Sequence, residues 1–185
     1  MTSHTISRAL TCIILVCSTG CNSTANEEEL PMQGTVGTQA PDVSLSLHDG
    51  SVVKLSDFQG KQSVVLFFYP KDNTPVCTAE ACSFRDAYPD FKSLDAIVIG
   101  ISSDTPESHK GFAEKHTLPF PLASDSHGEL RKAFHVPRTL GIMPGRTTFV
   151  IDRSGVIRLA FSAQFSAAKH VEKARDTLRS INSHD

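Results

Sequence analysis

Residues 63–86 read SVVLFFYPKDNTPVCTAEACSFRD, and the way this stretch divides decides the fold. Residues 63–69 are an unbroken apolar run of β-branched and aromatic side chains, the pattern of a strand buried on both faces. Pro70 ends that run. Thr74 is a favourable N-cap and Pro75 a favourable first helical residue, so a helix-like stretch is expected from there to about Phe91. Cys77 then falls in the first helical turn, where unpaired backbone N–H groups and the helix dipole favour an anion. A thiol so placed is expected to ionise readily and to act as a nucleophile near neutral pH. It also stands at the carboxyl end of a central strand, where open α/β sheets place their sites.

Cys82 follows five positions later. On an ideal helix that spacing puts the two Cα atoms roughly 8.7 Å apart, whereas a disulfide seldom tolerates more than about 7 Å. Either the two cysteines never pair, or the helix opens locally during a redox cycle in which one thiol reacts first and the other resolves the product.

Strands and helices alternate outward from this stretch. Residues 42–47 and 52–55 flank the turn Asp49-Gly50 and predict an N-terminal β-hairpin. Residues 96–102 read as a second buried strand. Thr105-Pro106 opens a helix to about His116. A short strand at 120–123 and a helix at 126–134 come next, then a second hairpin, 147–152 and 156–161, around Arg153-Ser154-Gly155. A final helix begins at Ser166 and runs to about Ile181. Strands flanked throughout by helices imply an α/β layer fold with a central mixed sheet.

The chain has 185 residues, 39% hydrophobic and 21% charged, with a net charge of −2. That is enough apolar material for a packed core and no basic field for nucleic acid. Three of the five cysteines, Cys12, Cys17 and Cys21, lie near the N-terminus. Residues 9–17 form an apolar run too short to span a bilayer but suited to a signal peptide. Ser18-Thr19-Gly20-Cys21 resembles the lipobox of bacterial lipoproteins, with Ser18 where that motif carries an aliphatic residue. The expected organisation is a lipoprotein-type signal peptide at 1–20, lipid attachment at Cys21, a flexible tether at 21–36 and one domain at 37–185. The expected location is the cell envelope, membrane-anchored and facing the periplasm or exterior, with a soluble secreted or periplasmic protein as the alternative.

Pro70-x-x-x-Thr74-x-x-Cys77, with Cys82 five positions on, is similar to the active-site signature of the peroxiredoxins. The run TPVCTAEACSFRD resembles the peroxiredoxin Q/bacterioferritin comigratory protein subfamily, and the likeness extends from about Gly37 through Ile181, including MPGRTTFVID. The resemblance implies a thioredoxin-like fold and reduction of hydrogen peroxide and organic hydroperoxides without metal, flavin or haem. It implies that Cys77 is the peroxidatic nucleophile and Cys82 the resolving thiol, joined in an intramolecular disulfide. Thr74 would orient peroxide and thiolate, Pro70 would shield the thiolate, and Arg146 would stabilise the thiolate and the charge on the leaving oxygen. Glu80 is a candidate partner of Arg146, and Arg85 a candidate for a nearby acid. The implied partners are a peroxide and a thioredoxin or thioredoxin-like reductant, delivered in the envelope, acting on a monomer. Competing readings fit less well. A metal or iron–sulfur site wants about four ligands, and a thiol–disulfide exchanger usually carries Cys-x-x-Cys, which the chain lacks.

Overall fold

The computed structural model describes residues 35–139 and 143–183. Strand β3 (Ser63–Phe68) lies inside the sheet, and all six of its residues are buried. On one side it pairs in parallel with β4 (Ala96–Ser102), from Ser63↔Ala96 to Phe68↔Ile101. On the other it pairs antiparallel with β8 (Thr147–Ile151), where Phe68 faces Thr147. The chain leaving β3 and the chain entering β8 therefore meet at one edge, which brings Pro70 and Arg146 to the same end of the sheet.

The remaining strands complete a seven-stranded mixed sheet. The N-terminal hairpin, β1 (Ser44–Leu47) and β2 (Val52–Lys54), joins through β5 (Leu122–Ser124), and β9 (Ile157–Ser162) closes the far edge beside β8. A separate two-stranded ribbon, β6 (Arg138–Thr139) with β7 (Met143–Pro144), precedes β8. Because successive side chains point to opposite faces, β3 feeds two cores. Val65, Phe67 and Tyr69 pack with Phe84, Phe112, Ala174 and Leu178. Val64, Leu66 and Phe68 pack with Leu45, Leu130, Phe134 and Phe149. On the first face the packing partners come from helices α1 (Pro75–Asp86), α3 (Pro106–His116) and α5 (Ala167–Asn182); on the other, Leu130 lies in α4 (Glu129–Ala133) and Phe134 directly follows it, while Leu45 and Phe149 come from β1 and β8.

The architecture is the expected α/β one, and several boundaries differ for identifiable reasons. The helix expected to reach Phe91 breaks at Ala87, and α2 (Tyr88–Ser93) starts anew. Pro89 lacks an N–H and its ring would strike the carbonyl four residues back, so one helix cannot continue. The strand expected at 120–123 begins at Leu122, since Pro119 and Pro121 offer no N–H to a ladder. The helix expected from Ser126 starts at Glu129, where the Asp125 carboxylate accepts the N–H groups of Leu130 (2.9 Å) and Arg131 (3.0 Å).

Candidate active site

Pro70–Thr74 bridges β3 to α1, and the left-handed Asn73 (φ 57°) turns it. Asn tolerates that conformation better than most residues. The loop is pinned from beneath by Asp72, which is buried. Its carboxylate accepts from the Tyr69 hydroxyl at 2.7 Å and the Ser108 hydroxyl at 2.8 Å, and it faces His109 Nδ1 at 3.0 Å. Its own N–H donates to Asp104 at 2.8 Å. Burial pushes the Asp72 carboxyl up, but the bonds from His109, Tyr69 and Ser108 bring it below its ordinary range. Burial and the neighbouring Asp72 push the Tyr69 phenol up, so it stays a donor.

Thr74 occupies the N-cap position of α1 but does not cap it. Its hydroxyl donates backward to the Lys71 carbonyl at 3.0 Å. Pro75 carries no N–H, and those of Val76 and Cys77 have no intrahelical acceptor. Cys77 is therefore set against a polarised helix end, and its side chain is buried. Cys77 and Cys82 are both free thiols on the intact helix, Cys82 half-buried.

Arg146 reaches this thiol from the entrance to β8. Its Nη2 donates to Cys77 Sγ at 3.2 Å, its Nη1 pairs with Glu80 Oε2, and its Nε donates to the Gln164 carbonyl at 3.1 Å. Glu80 sits one turn after Cys77 on the same face of α1 and is wholly buried. Burial pushes its carboxyl up to about 7, against the pull of Arg146. His170, from α5, lies 3.7 Å from Glu80 Oε1. Its Nε2 bonds the Ala163 carbonyl at 2.8 Å, which fixes the proton there and leaves Nδ1 to accept from the Thr148 hydroxyl, also at 2.8 Å. Burial lowers its pKa, with Arg146 adding to the effect, so it serves as a neutral wall. The arrangement is a buried sulfur with a guanidinium beside it, itself anchored by a carboxylate. It can hold an anionic sulfur and meet negative charge developing on an incoming oxygen.

The structure thus brings Pro70, Thr74, Cys77, Glu80 and Arg146 to one end of the sheet. Arg85 is not brought there: it pairs with the adjacent Asp86 at 2.9 Å and donates to the His116 carbonyl at 2.9 Å. Cys21 lies outside the described residues. Asp72, His109 and His170 are site-supporting groups that sequence reading missed. Only Asp72 had a signal, its place between Pro70 and Thr74.

The AhpC/TSA family model matches residues 36–160. Peroxiredoxin Q, chloroplastic, of Sedum lineare is 47% identical over 148 residues, covering 80% of this chain and 79% of that protein. Peroxidoxin BcpB of Mycobacterium tuberculosis superposes with a TM-score of 0.73 at 39% identity, covering 79% of this chain and 97% of its own. The bacterioferritin comigratory protein of Xanthomonas campestris, described for its alkyl peroxide reduction activity, gives 0.68 at 30% identity, covering 75% and 91%. These neighbours share the thioredoxin-like layer architecture of the sheet and helices.

The same comparison overturns the cell-envelope location expected from residues 1–21, whether membrane-anchored or soluble. The plant relatives are named as chloroplastic proteins. The physical ground for the misreading is visible in the sequence. The expectation rests on the apolar run 9–17 and on Cys21, and Ser18 breaks the lipobox. By the extent and identity of these matches the chain belongs to the AhpC/TSA family, as a peroxiredoxin of the peroxiredoxin Q kind, an oxidoreductase that reduces peroxides with thiols.

Proposed function

We propose that the chain reduces hydrogen peroxide and organic hydroperoxides through Cys77 and is recycled through Cys82. The observation that carries the reading is the 3.2 Å contact from Arg146 to Cys77 Sγ, with the same guanidinium anchored on buried Glu80. The Cys77 thiolate attacks the nearer peroxide oxygen, the O–O bond breaks, and Cys77 becomes a sulfenic acid. The departing alkoxide or hydroxide leaves with the electron pair of the broken bond and takes a proton from water. Arg146 lies where that charge develops, Thr74 orients the peroxide by its hydroxyl, and Pro70 keeps water from the sulfur. The Cys82 thiolate then attacks the Cys77 sulfur and expels hydroxide, which takes up the proton that Cys82 gave up and leaves as water, so a disulfide forms. A thioredoxin-type dithiol reduces it by exchange, its own thiols becoming a disulfide. Since Cys77, Cys82, Glu80 and Arg146 all come from one chain, the unit of function is read as a monomer.

The test is peroxide consumption with a thioredoxin system as electron donor. Cys77→Ser is expected to abolish it. Cys82→Ser is expected to consume about one peroxide per chain and then stall as a sulfenic acid that mass spectrometry detects. Unimpaired turnover in Cys82→Ser would remove that residue from the cycle, and activity in Cys77→Ser would remove the whole reading.

A further inference from the structure

Arg131 stands in α4, a helix that supplies none of the groups assigned above. Its Nη1 donates to the Gly145 carbonyl at 2.9 Å, its Nη2 donates to the Tyr69 carbonyl, and its guanidinium carbon lies 5.7 Å from the centre of the Phe68 ring. Tyr69 is the residue before Pro70, and Gly145 is the residue before Arg146. The β3–β8 ladder ends at Phe68↔Thr147, so no ladder bond joins the chain ends that carry the Cys77 loop and Arg146. The guanidinium fork is the cross-link that continues where the ladder stops.

The fork is itself held in place. The Arg131 N–H donates to Asp125 at 3.0 Å. Beyond α4 the chain passes so close over Gly145 that a Cβ there would lie 1.8 Å from the Pro137 carbonyl oxygen. Burial lowers the Arg131 pKa, while Asp125 and Cys77 oppose the change; a guanidinium stays charged at neutral pH in either case. Of the two guanidiniums, it is that of Arg146 which bonds Cys77 Sγ, at 3.2 Å.

We propose that Arg131 is a positioning residue for peroxide reduction, whose two-pronged grip on the Tyr69 and Gly145 carbonyls sets the placement of Arg146 relative to Cys77. A lysine could supply the charge but not two parallel bonds in a fixed plane. The inference rests on the reading of Cys77 as the peroxide-reactive thiol.

The experiment compares the reduced full-length chain with Arg131→Lys and Arg131→Met, each checked for folding by circular dichroism. Rates are measured against hydrogen peroxide and, separately, iodoacetamide. Oxygen transfer needs sulfur, peroxide and Arg146 aligned, whereas alkylation needs only an accessible thiolate. In both variants the peroxide rate is expected to fall about tenfold to a hundredfold, with alkylation little changed. A Lys variant as fast as the parent overturns the fork. Equal proportional loss in both reactions overturns positioning, because Arg131 would then act on the thiolate or on the fold. Should Arg131→Met fail to fold, Arg131→Lys decides alone. If the parent protein shows no oxidation at Cys77, the underlying reading fails instead, so the two failures are distinguishable.

Discussion

At the scale of single residues, Glu80 is the unusual member of the site, a carboxyl without solvent access facing Arg146 and His170. Burial pushes it up to about 7 against the pull of Arg146. As pH falls through that value the carboxylate takes up a proton and its hold on Arg146 weakens. Peroxide reduction is therefore expected to slow in that window, and Glu80→Gln to react slowly throughout with that pH step removed, as stopped-flow rates would show. For stability the sign runs the other way. The folded chain takes up a proton that the unfolded chain, at the ordinary 4.5, does not. The contribution is fully present below the ordinary value and is lost as pH rises through about 7. Thermal melts of Glu80→Gln should lack that loss. Pro70, Thr74 and Cys77 were legible in the sequence because their roles follow from local chain geometry. His109 and Arg131 were not, because their meaning lies in partners 37 and 62 positions away.

At the scale of elements, the proposed cycle asks α1 to be both a scaffold and a removable one. In the reduced chain it holds Cys77 and Cys82 too far apart to bond, and its start is weakly fixed because Thr74 gives it no side-chain cap. Ser83 also returns its hydroxyl to the Ala79 carbonyl at 2.7 Å, a bond that tends to bend helices. What retains the helix is packing: Phe84 stacks on Phe67 with centroids 4.5 Å apart and lies against Phe91 at 5.7 Å. Phe84→Ala is expected to cost about 3–5 kcal/mol in denaturant unfolding. It is also expected to speed disulfide formation after a peroxide pulse, since opening α1 then breaks fewer contacts. A slower or unchanged second step would show that α1 does not gate it. The Thr-Pro start of α1 and the Thr105-Pro106 start of α3 were readable, and Thr105 does accept the Ser108 N–H at 3.3 Å. The break at Ala87 lies inside the stretch expected to be helical to Phe91, and Pro89 is the residue that marks it.

At the scale of the whole molecule, the geometry of the candidate site depends on two neighbouring strands running in opposite directions. Because β8 lies antiparallel to β3, residue 146 arrives where residue 70 departs. The close layering that fixes this geometry is visible at Gly100 in β4, where a Cβ would lie 2.6 Å from both the Phe67 ring and Leu122. Gly100→Ala should lower stability by about 1–3 kcal/mol and reduce the peroxide rate through displacement of Phe67, with stability read by urea titration and the rate by stopped flow. By itself, the sequence determined the order of the sheet strands and of the helices packed on them, apart from the start of α2 and the β6–β7 ribbon, together with the cysteine placed at a helix start and the α/β class, since each depends on side-chain period and local backbone preference. Tertiary structure alone decided that Arg146 meets Cys77, that Glu80 is buried, that Arg85 stays outside, and that Arg131 joins two chain ends. Those facts depend on which strands pair and in which direction, and pairing is set by long-range packing that no local pattern encodes.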